Sequence, residues 1–139
     1  MQTLPETAPL ETQATKPKHP RWRGKFHAAL RGLKLGIRGH SSFFVHFFFA
    51  ALVLAGAVVL RCTLAEWCLL LLCIGGVLTA ELFNSAVETL FRGLDETAKG
   101  RVWPALDIAA GAVLAASIAA AVVGSLIFSN RLWLMIWPE

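Results

Sequence analysis

The chain has none of the phosphate-binding loops of soluble nucleotide enzymes. GxxxxGK[ST], the kinase glycine-rich loop and the dinucleotide fingerprint are all absent, which excludes those folds as far as motifs can. Charge is scarce. Only 16% of residues are charged against 56% hydrophobic, and the mean hydropathy is +0.61, too apolar for an ordinary soluble domain. Cysteine is scarce too: Cys62, Cys68 and Cys73 follow neither a metal-site nor a disulfide spacing, and read as small apolar packing groups. Residues 1–20 contain no continuous apolar stretch, so no cleavable signal peptide is expected and the first span serves as its own insertion signal.

What is present is apolar sequence in long runs. Crossing a hydrocarbon core of about 30 Å takes about 20 helical residues, and residues 43–60, 64–82 and 107–128 supply three such runs. The expected fold class is therefore all-α, an integral membrane protein with three transmembrane helices, the second continuing to residue 92 on the cytoplasmic side. His46, inside the first run, reads as a packed neutral histidine pointing into the bundle. In the third run Gly111, Ala115 and Ala119 form a small-residue stripe that lets helix backbones approach closely. After Asn130 the segment RLWLMIWPE is too short to span again, and its Trp133 and Trp137 are expected at the far interface. So small a bundle encloses little, which favours sites shared between copies of the chain.

Residues 1–20 hold Pro5, Pro9, Pro17 and Pro20 among polar residues and are expected to be a disordered tail. Residues 21–139 make up the membrane domain. Over residues 24–38 the pattern is helical: Phe26, Leu30, Leu33 and Ile37 recur on one side while Arg31, Lys34 and Arg38 line an adjoining face. That predicts an N-terminal amphipathic helix lying in the headgroup region over anionic lipid; a polyphosphate ligand is the alternative explanation of the same cations. Orientation follows from the basic residues. Eight lie between Lys16 and Arg38, and Arg92, Lys99 and Arg101 lie between the second and third spans, against Arg61 and Arg131 on the other side. This places the N-terminus and the 92–107 connection in the cytoplasm.

The carboxylates of this apolar chain concentrate between residues 80 and 111. Glu81, Asn84, Ser85 and Glu88 follow the i, i+3, i+4, i+7 spacing of one helix face, and an acidic group at a membrane boundary is a functional-site hypothesis by default. Two carboxylates two turns apart stand about 10.5 Å apart along the axis, too far to share a proton but suited to separate tasks. Phosphoryl transfer uses such a division, one group as base and one as ligand to a divalent cation. Oxygen ligands suit Mg²⁺, which takes one or two carboxylates together with substrate phosphates. A polar face used for subunit packing accounts for much of the same pattern.

The segments ELFNSAVE (81–88) and ALDIAAGAVL (105–114) resemble the E-x-x-N-[ST]-A-[IV]-E and A-K-D-x-[AG]-[AS]-A-V-L signatures of the prokaryotic-type diacylglycerol kinase family, which includes undecaprenol kinases. The order of basic helix, three spans and polar connection is similar as well. The resemblance implies a homotrimer in the bacterial inner membrane that passes the γ-phosphoryl of ATP to a membrane lipid alcohol, with Mg²⁺ and no nucleic acid. It implies Glu81 as general base, Asn84 and Ser85 as polar neighbours at the nucleotide, Glu88 as metal ligand and Asp107 as a nucleotide-holding residue. Three positions depart from the family pattern: His40 stands where an acidic metal ligand is usual, Arg92 where an aspartate is usual and Leu106 where a lysine is usual. His40 is thereby a candidate second metal ligand. Arg92, eleven residues after Glu81, returns to the same helix face and is a candidate phosphate contact. A non-catalytic relative that keeps the bundle is the alternative reading of these departures.

Overall fold

The computed structural model describes residues 22–39 and 42–137. The N-terminal tail and His40 lie outside the described residues. Four helices follow one another: α1 (Trp22–Gly39), α2 (Ser42–Val59), α3 (Leu64–Arg92) and α4 (Glu96–Ile136), with no strand among the described residues. Three of them, α2, α3 and α4, are long and apolar enough to cross a membrane. Only 11%, 22% and 11% of their most apolar windows are buried within the chain. An exterior this apolar, including Phe44, Phe48, Leu72 and Leu126, belongs against lipid or other apolar helices, where every backbone group must be satisfied inside a helix.

The α2–α3 and α3–α4 turns are closed by backbone chemistry readable in the residues. After α2, Cys62 N–H bonds Ala57 O (3.0 Å) and Arg61 N–H bonds Val58 O (3.1 Å), the paired bonds of a Schellman stop. Arg61 occupies its left-handed position at φ 51°, where a non-glycine residue costs about 1–2 kcal/mol. The α3–α4 turn is shorter than hydropathy alone predicts. Gly93 ends α3, and Asp95 caps α4 by accepting from Ala98 N–H at 2.8 Å, so most of the 92–107 connection is helix. Phe91 and Trp103 meet edge to face at 5.5 Å and tie the two arms of this hairpin together. Pro104 lies inside α4 and removes one backbone bond there. At its other end α4 runs unbroken through Asn130 to Ile136.

The interior has two ends. At the α2–α3 turn, Ala57, Leu70 and Ile127 form a buried cluster lined by Val53, Trp67, Val123 and Phe128. Cys62 packs against this cluster, and burial pushes its thiol above the usual value, with the Glu66 charge adding to the shift and Arg131 opposing it. It is therefore a protonated packing group. Beside it Glu66 on α3 takes three contacts from Arg131 on α4, at 2.6, 2.8 and 2.9 Å, and also accepts from Thr63 N–H at 2.6 Å. One carboxylate thus caps α3 and fastens it to α4. Arg131→Ala should lower the thermal unfolding temperature in detergent by several degrees. Arg131→Lys, which keeps the charge but not the planar fork, should recover only part of it.

At the opposite end α1 packs on α3. A Cβ at Gly36 would stand 2.7 Å from Leu82 Cδ2, so the absence of a side chain there sets the approach of the two helices directly beside Glu81.

Candidate functional site

Seventeen positions separate Glu81 from Leu64 at the start of α3, about 26 Å at 1.5 Å per residue. That length is comparable with the thickness of a hydrocarbon core, about 30 Å. Ser42, the first residue of α2, stands opposite Glu81. Along the polar face of α3, Glu81 and Ser85 are buried, whereas Glu88 is half-buried and Arg92 exposed, so the face has a buried part and an open part.

In the buried part Glu81 and Ser85 are each 2% exposed. The Ser42 hydroxyl donates to Glu81 Oε1. On the other carboxylate oxygen, His46 Nε2 lies 3.7 Å from Glu81 Oε2. A carboxylate removed from water is retained only with partners of this kind. The Ser85 hydroxyl is buried without a hydrogen-bond partner among the described residues, a state that costs about 1–3 kcal/mol and calls for an explanation. Thr89, one turn further on, donates its hydroxyl back to Ser85 O at 2.8 Å.

In the open part a ladder of contacts climbs the helix. Asn84 Nδ2 donates to Glu88 Oε1 at 3.1 Å, and an Arg92 guanidinium nitrogen donates to Glu88 Oε2 at 3.0 Å. Glu88 is half-buried and Arg92 exposed. Asn84 thus holds Glu88. Asp107 lies apart. It is exposed on α4, more than two turns past that helix's start, and the contacts of Glu81 and Asn84 do not include it.

Ser42 and His46 are the site residues that sequence reasoning missed. They sit four residues apart on one face of α2, and two polar groups at helical spacing in so apolar a segment are the signal that could have found them.

No group of three or more His, Cys, Asp or Glu side chains able to hold a metal occurs among the described residues. Glu88 offers one carboxylate, which fits a Mg²⁺ that takes most of its remaining ligands from substrate phosphates and water. It does not fit an all-protein cage.

Against known proteins, the family model for prokaryotic diacylglycerol kinase matches residues 27–128. The chain belongs to the prokaryotic diacylglycerol kinase family. Undecaprenol kinase of Bacillus subtilis (strain 168) is 31% identical over 107 residues, covering 77% of this chain and 87% of that protein. No solved structure matches the chain. The match takes in α2, α3 and most of α4, and so Ser42, His46, Glu81 and Glu88. Membership of a family of membrane lipid kinases accords with three apolar helices and indicates ATP as the phosphate donor.

Proposed function

We propose that the protein transfers the γ-phosphoryl group of ATP to the hydroxyl of a membrane lipid alcohol, diacylglycerol or undecaprenol, at the cytoplasmic face of a bacterial inner membrane. The observation that carries this reading is the division of labour along α3: a water-excluded carboxylate, Glu81, followed two turns later by a second carboxylate, Glu88, in the open. Glu81 accepts the hydroxyl proton as the lipid oxygen attacks the γ-phosphorus, while Ser42 fixes the carboxylate's orientation. Glu88, aligned by Asn84, would hold the Mg²⁺ that arrives with ATP. When bound, that ion neutralises phosphate charge. Ser85 supplies a buried hydroxyl on the same face, and Asp107 contributes to holding the nucleotide. His40, outside the described residues, would be a second ligand to the ion.

The lipid substrate enters laterally. The site lies at the membrane edge, and α1, with its basic Arg31, Lys34 and Arg38, serves as a surface helix on anionic headgroups. Eight basic residues before α2 support a cytoplasmic N-terminus. A homotrimer is supported by how little of each span a single chain buries and by the exposed Gly111, Ala115 and Ala119 on α4.

The contact between Arg92 and Glu88 favours a second reading, a non-catalytic relative in which Arg92 stands where a metal would bind. Arg92→Ala separates the two. If Arg92 turns from Glu88 to phosphate oxygens when ATP enters, removing it should weaken ATP binding about tenfold, the worth of a charge-assisted hydrogen-bond pair. In a non-catalytic relative the substitution changes nothing, because no nucleotide is bound. The function itself is tested by ADP release from purified protein in mixed micelles, which should require an added lipid alcohol. Release independent of lipid, or none with either alcohol, contradicts it.

A further inference from the structure

We infer that His46 is the proton exit of the site: a positioning residue that stands on the second oxygen of Glu81 and carries away the proton which Glu81 collects. The inference rests on Glu81 being the base.

A base that turns over must release its proton in every cycle. Glu81 is 2% exposed, so water has little direct access to it and a neighbouring side chain is the route for its proton. Its two carboxylate oxygens face different partners on the same helix: Ser42 donates to Oε1, and His46 Nε2 lies 3.7 Å from Oε2. Ser42 already spends its proton on the carboxylate and is the orienting group. His46 has the ring nitrogen that can take a proton and pass it on. Its side chain is 20% exposed against 3% for that of Glu81. It also sits four residues into α2, about 6 Å from the helix start, within reach of the membrane boundary. The other titratable groups of the region are occupied or remote. Glu88 is held by Asn84 and Arg92, and Asp107 is on the exposed side of α4.

The steps balance. As the lipid oxygen–phosphorus bond forms and the bond from the γ-phosphorus to the ADP oxygen breaks, the hydroxyl proton moves to Glu81 Oε2. Neutral His46 then takes that proton on Nε2, which regenerates the carboxylate, and the imidazolium gives a proton to water at the boundary. The transfer needs the ring to close from 3.7 Å to the usual range of about 2.7–3.2 Å, a side-chain movement that leaves the helices in place.

The test compares His46→Gln, His46→Asn and Glu81→Gln in mixed micelles with ATP and a lipid alcohol, with thermal unfolding recorded for each. Glutamine and asparagine keep a polar amide in the site but neither carries a titrating proton, and the second variant serves if the first does not fold. The expected result is a fall in kcat of about tenfold or more with the KM for ATP within about twofold. Wild-type kcat in a folded His46→Gln or His46→Asn protein would overturn the proton exit, as would a loss seen only in KM. Glu81→Gln keeps the two failures apart. If that variant is inactive while the His46 variants are unimpaired, the exit alone is wrong; if Glu81→Gln turns over normally, the base assignment falls and the exit with it.

Discussion

Glu81→Gln should lower turnover by about 10² or more while the helical bundle stays folded, since glutamine keeps the shape and removes the proton acceptor. The structure gives a reason to expect the fold to survive. The Ser42 hydroxyl, which donates to Glu81 Oε1, can donate equally to an amide oxygen, and the buried position then carries no charge to compensate. The measurement is kcat alongside thermal unfolding of the same preparation. A carboxylate that serves only packing would show the opposite pattern, with altered stability and unaltered turnover. Near-wild-type kcat in the variant would remove Glu81 from the chemistry.

Glu88→Ala should raise the Mg²⁺ concentration for half-maximal activity about tenfold or more, because the ion loses its charged oxygen ligand. The substitution also releases Asn84 and Arg92, both of which hold Glu88. Titration against Mg²⁺ at saturating ATP separates the two consequences. Loss of the ligand shifts the midpoint, whereas loss of the Asn84 and Arg92 contacts alone lowers the plateau and leaves the midpoint in place. An unchanged midpoint would mean that Glu88 serves its neighbours and not the ion.

The parts of this molecule that were legible beforehand are those set by local periodicity. Three apolar helices follow from the hydropathy runs, because a bilayer leaves the backbone no alternative that satisfies its hydrogen bonds. The grouping of Glu81, Asn84, Ser85 and Glu88 follows from the helical repeat alone. Periodicity could not show where the buried part of that face stops. That depends on how α1 and α2 pack against α3, a tertiary fact. The same packing turned His46 from a residue expected simply to fill the bundle into a neighbour of the buried carboxylate. The spacing of Ser42 and His46 marks a shared face of α2, but not its partner, because Glu81 lies thirty-five positions further along the chain.

The length of α4 was hidden for a different reason. Hydropathy marks the stretch that lipid surrounds, but the helix extends past it at both ends. Asp95 caps it well before the apolar run, with Lys99 reaching back to Glu96 at 2.7 Å, and Arg131 fastens its other end to Glu66. Asp107 consequently sits within a continuous helix instead of opening one. Capping and ion pairs between distant residues act where hydropathy is silent.

The most direct test of the central claim is transfer of label from radiolabelled ATP to lipid by the purified full-length chain in mixed micelles, with diacylglycerol and undecaprenol offered separately. The account predicts labelled lipid phosphate from at least one alcohol, dependent on Mg²⁺ and abolished by Glu81→Gln. Folded protein that labels neither lipid with ATP and Mg²⁺ in excess would contradict it.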